Sequence, residues 1–314
     1  MLKNKKISIL IPCYNEDKNV IPLYDNIMAL FNTDLSSYDY EILFIDNHST
    51  DSTCYLLRGI CAKNDKVKCI FNARNVGSAY STYYGLKQTS GDCSVILYAD
   101  FQEPIDMIPL FVSEWEKGYK IVIGIKTKSK ENPIMRFLRT IYYKIFKKLS
   151  ENVEQIEHFD GFGLYDKSFI DILRNLQEPM PYLKNIVAEF SINRKDIPYM
   201  QQRRRFGKSK SSWYNLYNDA MLGFTSYTKV GLRIATIFGF IFSFVSFLVG
   251  VIYFVLKIVN WYDFSMGMAP LIIGVFFFGS LQLFFIGLIG EYVMAINIRV
   301  MNRPLVIEEE RINF

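Results

Sequence analysis

The chain has 314 residues, of which half are hydrophobic and 21% charged, with 36 Lys and Arg against 31 Asp and Glu for a net charge of +5. That mixture excludes a disordered, collagen-like or disulfide-stapled chain. So small a positive excess calls for no nucleic acid, but it suits an anionic membrane surface or phosphate-bearing ligands. At about twice the ~150-residue prior for one domain, the length leads us to expect two structural units.

The first residues, MLKNKKISILIPCYNE, have a basic start, but the apolar stretch Ile7 to Ile11 is too short for a signal peptide. It predicts a buried strand, followed by a turn at Pro12 to Glu16 and a helix through Val20, Leu23, Ile27 and Leu30. Tyr40 to Ile45 predicts a second strand and Ser52 to Ala62 a helix. A third strand is expected at Val67 to Phe71, then a helix at Ser78 to Gln88 and a fourth strand at Ser94 to Ala99. Such alternation implies an α/β fold, a parallel sheet with helices on both faces. Cys13, Cys54, Cys61, Cys69 and Cys93 form an odd set without paired C-x-x-C spacing, which argues for free thiols in a reducing compartment.

In a sheet of this kind ligands bind outside the carboxyl ends of the strands. The polar residues there are Asn15 and Glu16, Asp46 and Asn47, Arg74 and Asn75, and Asp100 and Gln102. Each pair alone reads as a helix cap or turn. Four on one edge point to a shared ligand site. Asp100 and Gln102, two apart beyond a strand end, could both face one ion.

Further along, Pro133 to Leu149 has apolar residues at helical spacing with Arg136, Arg139, Lys144, Lys147 and Lys148. It fits either a helix at a membrane surface or a solvated helix packed on the domain. Gln201 to Lys210 (QQRRRFGKSK) is a basic loop suited to phosphates, or a juxtamembrane anchor for anionic lipid. Residues 234–256 are 23 uncharged, mostly apolar positions and residues 264–290 are 27 more, whereas a spanning helix takes ~20. Lys229, Arg233, Arg299 and Arg303 flank this pair of spans, and the short connection carrying Trp261 and Tyr262 has one charge of each sign. Both termini are therefore expected in the cytoplasm, with a multi-pass hairpin in the inner membrane.

The ordered motifs Ile11-Pro12-Cys13-Tyr14-Asn15-Glu16, Ile45-Asp46-Asn47-His48-Ser49-Thr50-Asp51, Ala73-Arg74-Asn75-Val76-Gly77 and Ala99-Asp100-Phe101-Gln102-Glu103-Pro104 resemble the family 2 glycosyltransferases of GT-A fold. Within that family the chain is similar to the polyprenyl-phosphate sugar transferases, whose bacterial members also end in two transmembrane helices. The resemblance implies a Rossmann-like, mostly parallel sheet with interfacial amphipathic helices and a C-terminal two-helix transmembrane hairpin. The expected divisions are a cytoplasmic glycosyltransferase domain at 1–212, a juxtamembrane interfacial helix at 213–232, two transmembrane helices at 233–297 and a cytoplasmic tail at 298–314.

The resemblance makes Asp100 and Gln102 ligands of a divalent cation, Mg²⁺ or Mn²⁺, and of the donor diphosphate. Hard oxygen donors suit such an ion. Pro12, Tyr14, Asn15, Glu16 and Asp46 would hold base and ribose, with Arg74 and Asn75 completing the nucleotide-sugar site. By similarity Arg204, Arg205, Lys208, Ser209 and Lys210 close over the donor diphosphate or receive the acceptor phosphate. In the segment His158 to Asp166, Asp160 is the first choice for a catalytic-site carboxylate, ahead of Glu189. Two positions depart from the family pattern: Tyr98 stands where an aspartate is usual, and Asn47-His48 replaces Asp-Gly. His48 is either a base contact or a solvated turn residue.

The expected activity is inverting transfer of a sugar from a nucleotide-diphosphate donor, with uridine the leading base, to undecaprenyl phosphate at the cytoplasmic membrane face. A homo-oligomer is expected from the family and the small hairpin. Competing readings are transfer to another lipid-linked or glycan acceptor, a non-catalytic membrane subunit binding nucleotide sugar, and a nucleotidyltransferase.

Overall fold

A computed structural model of the chain describes residues 5–127, 156, 158–176, 178–179, 181–190, 193–202, 230–259, 268–301 and 303–314. The expected basic helix at 133–149, the phosphate-loop residues Arg204, Arg205, Lys208, Ser209 and Lys210, the interfacial helix and Trp261 with Tyr262 lie outside the described residues. The chain divides into two compact units. One comprises Met1–Lys147, Asn152–Trp213 and Asn302–Phe314, the other Lys148–Glu151 and Tyr214–Met301.

The first unit is built on an eight-stranded sheet. Its strands are β1 (Lys6–Cys13), β2 (Asp39–Asp46), β3 (Val67–Asn72), β4 (Cys93–Ile96), β5 (Ile121–Lys126), β6 (Gly163–Asp166), β7 (Arg194–Tyr199) and β8 (Glu308–Ile312), in the order β7-β5-β6-β4-β1-β2-β3-β8. β1 to β4 are parallel neighbours, β5 runs parallel to β7, and β6 and β8 are antiparallel to theirs.

The central strands are apolar almost throughout because both faces are covered. Ile7, Ile9 and Ile11 with Ile42 and Phe44 face a layer formed by α1 (Val20–Asn32), α2 (Thr53–Cys61) and α4 (Ile108–Glu116). Leu10, Leu43 and Ile45 face the opposite layer of α3 (Ser78–Gln88), α5 (Lys167–Asn175) and α6 (Leu183–Phe190). Each fully buried side chain of this kind contributes about 1.5–3 kcal/mol, so the two layers fix which strand residues point which way.

The fourth strand is shorter than expected. Its register with β1 ends at Leu10↔Ile96, and Tyr98 turns away to donate from its hydroxyl to the carbonyl of Asp160 at 2.8 Å. Residues 298–314, expected as a tail, contain β8, which pairs with β3 through Cys69↔Ile312, Ile70↔Arg311 and Phe71↔Glu310. An uncovered β3 would expose a row of unpaired backbone groups. Arg58 to Glu310 at 2.6 Å, and Asn313 Nδ2 donating to the carbonyls of Cys61 and Val67, pin the added strand.

The second unit holds α7 (Val230–Val259) and α8 (Met268–Met301), of 30 and 34 residues. Phe242 of α7 meets Phe277 and Phe278 of α8 edge-on, with ring centroids 6.1 Å apart. Among the described residues, the helical stretch Phe277–Met301, with mean hydropathy 1.7, is long and apolar enough to cross a membrane. At 1.5 Å per residue its 25 residues reach about 37 Å, against ~30 Å of hydrocarbon.

Candidate active site

Because β1 to β4 are parallel, the residues that follow them all emerge on one rim. The antiparallel β6 brings its beginning, not its end, to that same rim, where β5 and β7 finish. Asp160 and Gly161 are thereby set beside Tyr98, Lys126 and Tyr199, although the sequence separates them widely.

On one side of the rim, three loops are laced together. Asn15, at φ 57°, receives from Thr50 N at 2.7 Å on its side-chain oxygen, and its own N donates to Ser49 Oγ at 2.8 Å. Glu16 N donates to Thr53 Oγ1, and Glu16 Oε2 accepts from Asn19 Nδ2 at 2.6 Å. Asp46 is buried, and its carboxylate accepts from Ser49 N at 2.9 Å, from the Ser49 hydroxyl and from Cys54 Sγ at 3.2 Å. Asp46 thus shapes the Ser49 loop, while a carboxylate still has lone pairs for a further donor. Burial and the nearby Asp46 push the Cys54 thiol up to about 12, so it stays a neutral donor. Asn47 links the next loop: its Nδ2 donates to Asn75 Oδ1 at 2.8 Å and its Oδ1 accepts from Val76 N at 2.9 Å. Pro12 and Tyr14 are half-buried, whereas Arg74, Asn75 and His48 are exposed.

On the other side sits a cluster of acids and lysines. Asp100 is 8% exposed and accepts from Gln102 N at 3.2 Å, while Gln102 is half-buried and its carbonyl accepts from Gln202 N at 3.0 Å. Phe101 between them has φ 59°, a left-handed conformation uncommon for a bulky residue. Asp160, with 43% of its side chain exposed, is gripped by Lys184 Nζ at 2.7 Å and by Lys126. Burial pushes its carboxyl up, but Lys184 and Lys126 outweigh that and hold it well below the usual carboxylate range. Gly161 has φ 102°, and a Cβ there would lie 2.9 Å from the Tyr98 hydroxyl. Glycine is needed for both the backbone and the fit.

Glu103 is 4% exposed, and its Oε2 has no hydrogen-bond partner among the described residues. Burial first, then the charge of Asp100, push its carboxyl up to about 8. Leaving such an atom unpaired costs about 1–3 kcal/mol, and a cation beside Asp100 would offset it. The donor set fits a hard divalent ion: one or two carboxylates plus an amide, with substrate phosphates supplying the remaining oxygens. Among the described residues, no group of three or more His, Cys, Asp or Glu side chains could hold a metal ion.

Glu189 is exposed on α6, five positions beyond Lys184 and so about 140° around the helix. The structure thus sets Lys184, not Glu189, against Asp160. Sequence reasoning passed over Glu103, Lys126, Lys184 and Tyr199 as site residues. Glu103 stands within the Asp100 to Pro104 motif and could have been found there. The other three depend on β6 reversing direction, which no local pattern announces.

The family described as Glycosyl transferase family 2 matches residues 8–173, more than half of the chain. The SfII prophage-derived bactoprenol glucosyl transferase of Shigella flexneri is 28% identical over 300 residues, spanning 95% of this chain and 96% of its own length. The prophage bactoprenol glucosyl transferase homolog of Escherichia coli K12 is 27% identical over 300 residues, spanning 95% of this chain and 97% of its own. Among solved structures, mannosyl-3-phosphoglycerate synthase from Rubrobacter xylanophilus aligns at a TM-score of 0.46 and 16% identity, over 69% of this chain and 71% of that one.

Proposed function

This chain belongs to glycosyl transferase family 2, and from that premise we propose that it moves a sugar from a nucleotide-diphosphate donor, UDP-linked, to a polyprenyl phosphate. The observation that carries the acceptor is the end-to-end match, over 95% of this chain, to a relative named a bactoprenol glucosyl transferase. The apolar stretch Phe277–Met301 supports an acceptor rooted in a bilayer. The reading includes both helices α7 and α8 as membrane spans, with the sheet unit and both termini in the cytoplasm.

In the proposed reaction a lipid-phosphate oxygen attacks the anomeric carbon as the bond to the nucleotide diphosphate breaks, inverting that centre. The electron pair leaves on the diphosphate. A Mg²⁺ or Mn²⁺ ion, when bound, would neutralise that developing charge. Asp100 and Gln102 would hold it, with the orphaned Oε2 of Glu103 beside them. Asp46 and the Pro12 to Glu16 turn would receive the base and ribose, because their mutual hydrogen bonds prebuild that loop surface. Arg74 and Asn75 border it.

Asp160 serves in this reading as an anchor for Lys126 and Lys184. A carboxylate held so firmly ionised is a weak base, and a phosphate acceptor that is already an anion needs positioning more than deprotonation. Arg204, Arg205, Lys208, Ser209 and Lys210 would supply further phosphate contacts.

The test uses the purified full chain in detergent with Mn²⁺ or Mg²⁺, a panel of nucleotide sugars and polyprenyl phosphate. Nucleotide release that requires the lipid phosphate, with one sugar recovered on a mild-acid-labile lipid, is the expected outcome. Transfer only to a glycan, or release indifferent to the lipid, would overturn the acceptor.

A further inference from the structure

Lined by none of the site residues named above, a cavity of about 330 Å³ lies in the sheet unit. Its walls come from the last turn of α3 (Lys87), the last turn of α5 and the segment after it (Arg174, Leu176, Glu178), and the chain between α8 and β8 (Arg303, Leu305). The volume falls in the range of small-ligand pockets. Leu176 and Leu305 are partly buried and pack against the apolar layer under α3 and α5, so part of the cavity wall is apolar beside its cations.

The three cations are differently committed. Arg174 is paired with Asp171 at 2.6 Å and donates from Nε to the Lys87 carbonyl at 3.0 Å, so it is fixed in place. Lys87 donates to a neutral partner, the Leu176 carbonyl, at 3.3 Å, and lies 5.4 Å from the Tyr83 ring. Burial holds the Lys87 ammonium below its ordinary pKa, the signature of a charge without full compensation. Arg303 is exposed. Glu178 contributes the one carboxylate of the lining.

Arg303 follows Met301, the last residue of the long apolar helix, by two positions. Two peptide links span at most about 7.6 Å. One wall of the cavity is therefore tethered within a lipid headgroup's reach of that helix's end. We propose that this cavity binds the phosphate of an anionic phospholipid headgroup, with the glycerol and first acyl carbons over Leu176 and Leu305. None of its lining residues is among those assigned above to donor or acceptor, and the proposal rests on the reading that α8 enters a membrane. Phosphate oxyanions match Lys87 and Arg303, and the tether favours a lipid source over a soluble one.

The experiment places the full chain in phosphatidylcholine vesicles containing a photoactivatable phosphatidylglycerol or, in parallel, a photoactivatable phosphatidylcholine. Peptides carrying Lys87, Arg174 or Arg303 should take label from phosphatidylglycerol in preference. Lys87→Gln with Arg303→Gln should reduce that labelling at least about tenfold, and Lys87→Arg with Arg303→Lys should retain it. Sugar-nucleotide binding in both variants reports whether the sheet unit remains folded. Equal labelling by the two lipids, or labelling unaffected by loss of both charges, would overturn the cavity's role. Abolition of the label by inorganic phosphate would overturn the lipid source. Flotation of the same vesicles separates the readings: a chain that fails to float defeats the membrane placement and the cavity together, whereas one that floats with indifferent labelling defeats the cavity alone.

Discussion

The two edges of one sheet handle buried acid in opposite ways. At the amino edge Glu41 is 1% exposed, yet its carboxylate accepts from the Ser8 hydroxyl, from Ser90 N and Oγ at 2.8 Å each, and from Lys68 Nζ at 2.7 Å. Burial raises its pKa, but Lys68, Ser8 and Ser90 outweigh that and bring it below 4.5. At the carboxyl rim Glu103 is also buried, has an oxygen without a partner among the described residues and lies near Asp100, and burial followed by that charge raises its pKa to about 8. A satisfied acid holds a fold together. An unsatisfied one, in a molecule of marginal stability, is where the proposed cation would relieve a standing cost.

That contrast can be broken most sharply at the rim itself. Asp100→Asn should lower sugar transfer at least about a hundredfold, since the charge opposing the diphosphate loses its holder, with the thermal-unfolding midpoint unchanged. Retained turnover would remove Asp100 from the proposed cation site. At the amino edge Glu41→Gln should cost about 3 kcal/mol, because it strands Lys68 and the surrounding donors. The loss would be read as a lower unfolding midpoint with nucleotide affinity preserved.

Glu103→Gln should do the reverse, adding about 1 kcal/mol of stability in the presence of a chelator while weakening cation-dependent nucleotide binding. A destabilised variant would mean that the orphaned oxygen has a structural partner after all. The smallest effect is a divergence in pH dependence. Glu41, depressed in the fold, contributes stability above its unfolded value near 4.5 that is lost as pH falls through its folded value. Glu103, raised in the fold, contributes stability below 4.5 that is lost as pH climbs through about 8. Unfolding midpoints across pH should show both limbs, with Glu41→Gln flattening the acid one and Glu103→Gln the alkaline one.

The first half of the sheet was open to reading because short, almost wholly apolar runs such as Ile7 to Ile11 signal strands buried on both faces, and the helical spacing of Val20, Leu23, Ile27 and Leu30 in α1 signals what covers them. Polar pairs at Asn15, Asp46, Asn75 and Asp100 were placed on one edge by parallel pairing alone. The spacing of Asp100 and Gln102 suggested two side chains sharing a direction. Phe101 at φ 59° breaks the strand alternation on which that inference depends. β8 was hidden because Glu308 to Ile312, EEERI, is mostly charged and pairs with a strand more than 230 positions earlier.

Residue order alone thus determined an α/β sheet of parallel strands, the polar residues gathered at its carboxyl rim and the long apolar segments, since each depends on periodicity or on neighbours within a few positions. Only the tertiary structure decided that Asp160 is held by Lys126 and Lys184, that one oxygen of the buried Glu103 has no partner among the described residues and that the strand β8 closes the edge beside β3. Those facts depend on strand direction and on contacts between residues up to 252 apart. No local pattern encodes them, because their free energy appears only when the sheet is complete.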